Sequence, residues 1–292
     1  MDSAIARGLE LVPAGSPARR QESRLGWLTV GVLGVACAAI APALLIFLFV
    51  QGFAFLLGDG TATLFSTRWF PSEGVFGLAP LVVGSLLVSL GGLALALPLG
   101  LGTAITLRFY LRGGSLRFAE AALGVLGGVP SVVFGLFGTF WFVPRFGASL
   151  ASGALVLAAM LTPTLALLAL AGLRQLPAGL LLDGARLGLS REQVIARLAL
   201  RAARPALMGA AVLALARALG EALAVEMVCG NVAGLPSGFT DPVRTLTTTL
   251  VQEFEYAQGA HGHALHLVAL TIVLLAALTS AAALRFSARR QA

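Results

Sequence analysis

Six predominantly apolar runs, at about 27–55, 81–107, 119–143, 153–173, 206–228 and 264–284, dominate this chain. Each is long enough to cross a hydrocarbon core as a helix, and too long for a barrel strand. Charged residues make up 11% of the sequence, against roughly 25% in a soluble domain. The pattern predicts an all-α polytopic membrane protein with six transmembrane helices. The apolar domain spans 25–285, between polar tails at 1–24 and 286–292. The run at 27–55 exceeds the core of a signal peptide, so it is expected to remain as the first span.

One long interior stretch, 174–205, is not membrane-like. It carries six arginines: Arg174, Arg186, Arg191, Arg197, Arg201 and Arg204. Such a cluster beside a span belongs on the cytoplasmic side. Residues 180–187 are helix-compatible, and Gly188 can end that helix in a left-handed turn. Ser190 with Gln193 is a capping box for a second helix. Leu187, Leu189, Val194, Ile195 and Leu198 leave apolar surface among the charges. Two short helices about a glycine turn make a compact knob able to dock into a cleft of another protein.

The twenty basic residues are all arginine. Without lysine the chain has no P-loop and no Schiff-base chemistry. Sixteen arginines fall in the segments expected inside, and three, Arg68, Arg145 and Arg244, in the outer loops. That bias places both termini in the cytoplasm. The net charge of +7 is spread over short loops and tails. It indicates topology and contact with anionic lipid rather than nucleic acid. Cys37 and Cys229 lie in apolar runs and are expected to be small core residues. His261, His263 and His266 lack carboxylate or cysteine neighbours in sequence, which argues against a metal site.

Three features mark a path through the membrane. Gly127 to Gly135 contains Pro130, and a glycine–proline break at mid-depth frees backbone groups that protein or water must satisfy. Thr162 and Thr164 flank Pro163, where their hydroxyls are expected to cap freed carbonyls. Arg217, Glu221 and Glu226 lie in the fifth run, where charge is costly and turns toward protein or a water-filled cavity. Arg217 and Glu221 are four apart, and so are expected to share one helix face. They form either a structural ion pair or a permanent cation for an oxyanion, neutralised by its partner when empty.

Several motifs resemble those of ABC-importer permeases. Their coupling loop reads Glu-Ala-Ala, three residues, Gly, nine residues, Ile-x-Leu-Pro. Gly188 followed by Leu198-Ala199-Leu200 keeps that spacing. The Glu-Ala-Ala slot falls on Leu182-Asp183-Gly184, so the acid Asp183 is one residue late and Ala185 follows the slot. Arg201 replaces the closing proline. The element Val129-Pro130-Ser131-Val132-Val133 is similar to one of phosphate permeases, with Gly127 and Phe134 as departures. So are Trp69, Pro71, Phe76, Gly77 and Pro80 ahead of the second run. Arg217-Ala218-Leu219-Gly220-Glu221-Ala222, continuing to Gly230-Asn231 and then Asp241-Pro242-x-Arg244-Thr245, is similar to the signature of the PstC-type subunit.

The resemblance implies a type I ABC-importer permease in a bacterial inner membrane. Its partners would be a PstA-like sister permease, two copies of an ATP-binding subunit and a phosphate-binding protein outside. No cofactor is expected on this chain, since ATP and Mg would sit on the ATPase. Arg217, Glu221, Ser131 and Asn231 would line the substrate path. Asp183, Gly184, Ala185, Gly188 and Leu198 would couple to the ATPase. A permease for another oxyanion or an organic phosphate, or a non-transporting scaffold or sensor partner, remains open. An enzyme is disfavoured, because no nucleophile–base pair or metal cluster is present.

Overall fold

The computed structural model describes residues 17–58 and 63–288. Residues 1–16, 59–62 and 289–292, and the side chains of 17–26, Leu28, Ala178, Ala185 and 282–288, lie outside that description. So do the side chains of all the arginines placed in the two tails. The chain divides into two compact units at Val50. The first is the leading part of helix α1, Pro17–Leu57. It begins inside the segment expected to be a loose tail. Val30, Ile40 and Ile46 are exposed along it, and so is Cys37, which is therefore not a core residue in this chain.

The second unit contains the bundle. A hairpin, β1 (Trp69–Phe70) and β2 (Val75–Phe76), precedes α2 (Ala79–Ile105). A π turn, Thr106–Tyr110, closes α2. Then come α3 (Gly113–Gly128), α4 (Ser131–Trp141), α5 (Val143–Phe146) and α6 (Leu150–Arg174). A short α7 (Ala178–Arg186) leads to the long α8 (Arg191–Gly220). The last helices are α9 (Leu223–Glu226), α10 (Leu246–Glu253) and α11 (Ala260–Ala288). Among the described residues, five helices are long and apolar enough to span a membrane, and six spans result if the bent pair α3–α4 counts as one.

The centre of the bundle is α2 against α6, running parallel. Leu157, Leu161 and Leu165 of α6 are fully buried. A Cβ on Gly92 would lie 2.6 Å from Leu157 Cβ, and one on Gly100 would lie 2.8 Å from Leu165 Cδ2. Glycine at both places lets the two backbones close up, as small residues do between membrane helices.

The expected break at Pro130 is present as an 89° bend between α3 and α4. Pro130 has no N–H and pushes Val129 into an extended conformation, with ψ of 131°. Pro205, by contrast, does not interrupt α8. Proline removes one hydrogen bond there, yet α8 continues because it packs along both α6 and α11.

The hairpin end of the bundle is held by one carboxylate. Trp69, of a residue type that favours membrane interfaces, is buried, and its ring lies edge-on to Phe76. Its indole N–H donates to Glu253 Oε2 at 2.9 Å. Arg244 Nη1 donates to Glu253 Oε1 at 2.6 Å, and His261 Nε2 lies 2.8 Å from Oε2. Arg244 also reaches Gln252 Oε1 and the Asn231 carbonyl. Glu253 thus ties β1, the loop before α10 and the start of α11. Glu253→Ala strands a half-buried arginine and a buried indole N–H. It is expected to cost about 2–4 kcal/mol of stability, read as a lower thermal midpoint of the purified protein. An unchanged midpoint would show that the hairpin holds without it.

Candidate functional site

The fifth apolar run is not one helix. α8 ends at Gly220, and Glu221 is extended, with ψ of 125°. Two contacts stabilise the break. Thr247 Oγ1 donates to the Glu221 carbonyl at 2.8 Å, satisfying an acceptor that the helix would have used. Glu221 Oε1 accepts from the Ala224 N–H at 3.4 Å, as a cap for α9. A third observation fits the same break. α9 lies against α4, and a Cβ on Gly135 would approach Ala224 Cα to 3.0 Å. Two spans, α3–α4 and α8–α9, are therefore interrupted and meet side by side.

The Arg217–Glu221 pair expected from helical spacing does not form. With Glu221 off the helix, four residues of separation no longer place the two on one face. Arg217 Nη1 donates instead to Thr164 Oγ1 at 2.8 Å. Thr162 does cap a carbonyl, that of Ala158, as expected of both threonines. Thr164 does not; its hydroxyl oxygen receives the guanidinium. Among the described residues no carboxylate pairs with Arg217. Its side chain is exposed at the surface of the chain.

Depth can be read along α6. Thr164 lies about 15 Å from Arg174 at 1.5 Å per residue, half the thickness of a hydrocarbon core. A guanidinium facing lipid there would cost at least about 3 kcal/mol. Water or another polypeptide removes that cost, and its fork of donors suits an oxyanion.

The other two expected path residues are dispersed. Ser131 opens α4 directly after the bend, and no hydrogen bond joins it to Arg217 or Glu221 among the described residues. Asn231 belongs to the hairpin end. It is left-handed, with φ of 53°, and its Nδ2 donates to the Glu226 carbonyl. Its Oδ1 is buried with no hydrogen-bond partner among the described residues. Thr164 and Thr247 were not singled out as partners of Arg217 and Glu221. Counting residues from Arg174 along α6 places Thr164 at mid-depth; nothing local in the sequence marks Thr247.

At the other end of the bundle, α7 and the start of α8 form the knob. Gly188 is left-handed, with φ of 75°. The Leu189 N–H donates to the Gly184 carbonyl at 3.2 Å, the six-to-one bond of a Schellman cap. The Ser190–Gln193 capping box is complete. The second helix is not short, however, because it is the beginning of α8. Gly184 is where α7 touches α8: a Cβ there would lie 2.6 Å from Leu198 Cδ1 and 3.1 Å from Val194 Cγ2. Asp183 pairs with Arg186 at 3.2 Å, both largely exposed, a geometry worth little stability. Leu182 and Leu187 are also exposed. The Ala185 side chain lies outside the described residues.

Comparison with known proteins defines the class. Residues 96–291 match the family of binding-protein-dependent transport system inner membrane components. The chain belongs to that family: it is a multi-pass permease subunit of an ABC importer. It is 35% identical over 248 residues to the probable ABC transporter permease YqgH of Bacillus subtilis, covering 79% of this chain and 80% of that one. It is 28% identical to the phosphate transport system permease protein PstC of Pasteurella multocida, over 74% of this chain and 76% of the relative. Among solved structures it resembles the inward-facing MetNI methionine ABC transporter, with a TM-score of 0.58 and 18% identity over 75% of this chain and 97% of the other. The fold is that of type I ABC-importer permeases.

Proposed function

We propose that this chain is a PstC-type subunit of an ATP-driven importer of inorganic phosphate. The observation that carries this reading is Arg217, an exposed guanidinium at mid-depth whose one partner among the described residues is a hydroxyl. A phosphate dianion crossing an apolar bundle needs such a charge, fixed and never deprotonated. Thr164 holds the guanidinium without neutralising it, so binding does not require an ion pair to break. Likeness to PstC subunits supports phosphate as the anion. The sister subunit is PstA-like and completes the path on the face that Arg217 occupies. Two ATP-binding subunits, which carry ATP and Mg, dock on the knob, and a phosphate-binding protein delivers substrate at the hairpin end.

The test is uptake of radiolabelled phosphate by cells producing the chain with its neighbouring gene products. Saturable, ATP-dependent uptake that excess sulfate or glycerol 3-phosphate fails to compete is the expected result. Competition by either would assign another substrate.

The arginine distribution puts the termini in the cytoplasm and the loops 58–78 and 233–262 outside. Ser237 is exposed in the second of these loops. In a background with Cys37 and Cys229 replaced by alanine, Ser237→Cys is expected to react with an impermeant thiol reagent added from the periplasmic side. Reaction only after the cytoplasmic face is opened would invert the topology.

A further inference from the structure

At the knob end, beneath α7, lies a cleft of about 500 Å³. Arg108 from the end of α2, Arg112 from the following turn and Arg191 from the first turn of α8 line it. None of the three meets a carboxylate among the described residues. The acids of this region are engaged elsewhere: Glu120 pairs with Arg174, Asp183 pairs with Arg186, and Glu192, next to Arg191 in sequence, accepts from Ser190 Oγ at 3.1 Å. Among the described residues Arg108 donates through Nε alone, to the Leu173 carbonyl at 3.3 Å, and its guanidinium lies 5.7 Å from the Phe109 ring centre. Arg191 stacks over Tyr110, 4.3 Å from the ring centre, so its donor edge stays open.

The remaining walls are apolar. Phe109 and Leu181 border this cleft and also a neighbouring one of about 280 Å³, which continues over Leu189, Val194 and Ile195. Three unneutralised guanidinium groups beside an oily slot match one kind of molecule: an anion with an attached hydrocarbon. The position agrees. α2 leaves the bundle here through Phe109 and Tyr110, and tyrosine is of the kind that sits at headgroup level.

We propose that this cleft binds one anionic phospholipid of the adjoining leaflet. Its phosphate sits among Arg108, Arg112 and Arg191, and an acyl chain lies over Phe109, Leu181 and Leu189. A free phosphate ion would satisfy the arginines and leave the apolar walls wet, and so would an acidic side chain of a protein partner. Because Leu181 belongs to α7 and Arg191 opens α8, the lipid braces the knob against the body of the bundle. This holds whatever substrate the permease carries.

The test titrates the purified full chain in detergent with phosphatidylglycerol and with phosphatidylcholine, counting bound lipid by native mass spectrometry. One phosphatidylglycerol is expected to bind in clear preference to phosphatidylcholine. Arg108→Gln, Arg112→Gln and Arg191→Gln together are expected to weaken it about a hundredfold, about fivefold per arginine. Arg117→Gln removes a charge from the same region outside the cleft and is expected to leave binding intact. If it weakens binding as much as Arg112→Gln, the effect is diffuse surface charge and the site is refuted. Equal retention by the triple variant refutes it as well. Displacement of the lipid by millimolar inorganic phosphate would reassign the arginines to a free anion.

Discussion

Arg217→Gln is expected to lower phosphate uptake by about a hundredfold or more while the subunit still folds and inserts. Glutamine stays polar and keeps the aliphatic stem, but it is two bonds shorter and removes the charge and the fork. Hydrogen bonds to an ionised group contribute about 1.5–3 kcal/mol each, and a dianion held by two of them loses most of its attraction. Folding should change little, because Arg217 is exposed and its one bond is to a hydroxyl. Normal uptake by this variant, at normal protein levels, would remove Arg217 from the path.

The break at Glu221 sharpens that experiment. Had the two residues formed a structural pair, neutralising both would restore function. Here Glu221 caps α9 and its backbone is held by Thr247, so Arg217→Gln with Glu221→Gln should remain as inactive as the single variant. Glu221→Gln alone retains a cap acceptor for the Ala224 N–H, and is expected to cost far less uptake than Arg217→Gln. Recovery of uptake in the double variant would bring back a pairing that the geometry does not contain.

Local chemistry marked what was legible in advance. Pro130 announces its own bend, Gly188 its left-handed turn, and Ser190 with Gln193 a helix start. Apolar runs announce the spans. The errors lie where a partner distant in sequence decides the backbone. Gly220 is the one local hint of a break in Ala218 to Ala224, and a lone glycine is tolerated in a helix; Thr247, arriving from the loop before α10, is what stabilises the break. Trp69 resembles an interfacial residue until Glu253, brought in by α10, takes its N–H. Arg217 was recognisable because a charge in an apolar run always needs an explanation, whereas its partner depended on which two helices lie side by side.

Gly184→Leu is expected to uncouple ATP hydrolysis from transport, and Gly184→Ala is expected not to. The position corresponds to an alanine in the coupling-loop motif, and the packing explains why a small residue is needed. A methyl at Gly184 meets Leu198 Cδ1 at 2.6 Å, the end of a flexible side chain that can turn aside at a cost of about 1 kcal/mol. An isobutyl group must displace Leu198 and Val194 together, and α7 then lifts from α8. Since α7 presents the exposed Leu182 and Leu187 that would enter the ATPase, tilting it misplaces the contact without touching the spans. Phosphate uptake should fall at least about tenfold, corresponding to about 1.4 kcal/mol lost at the interface, while unstimulated ATPase activity and membrane insertion persist. Leu198→Ala opens the space that the larger side chain needs, so Gly184→Leu with Leu198→Ala should recover coupling. Gly188→Trp should uncouple by a different route, forcing a bulky residue into a left-handed turn, and Leu198→Ala should not rescue it. Full coupling in Gly184→Leu, or rescue of both variants alike, would mean that the seating of α7 on α8 does not transmit the signal.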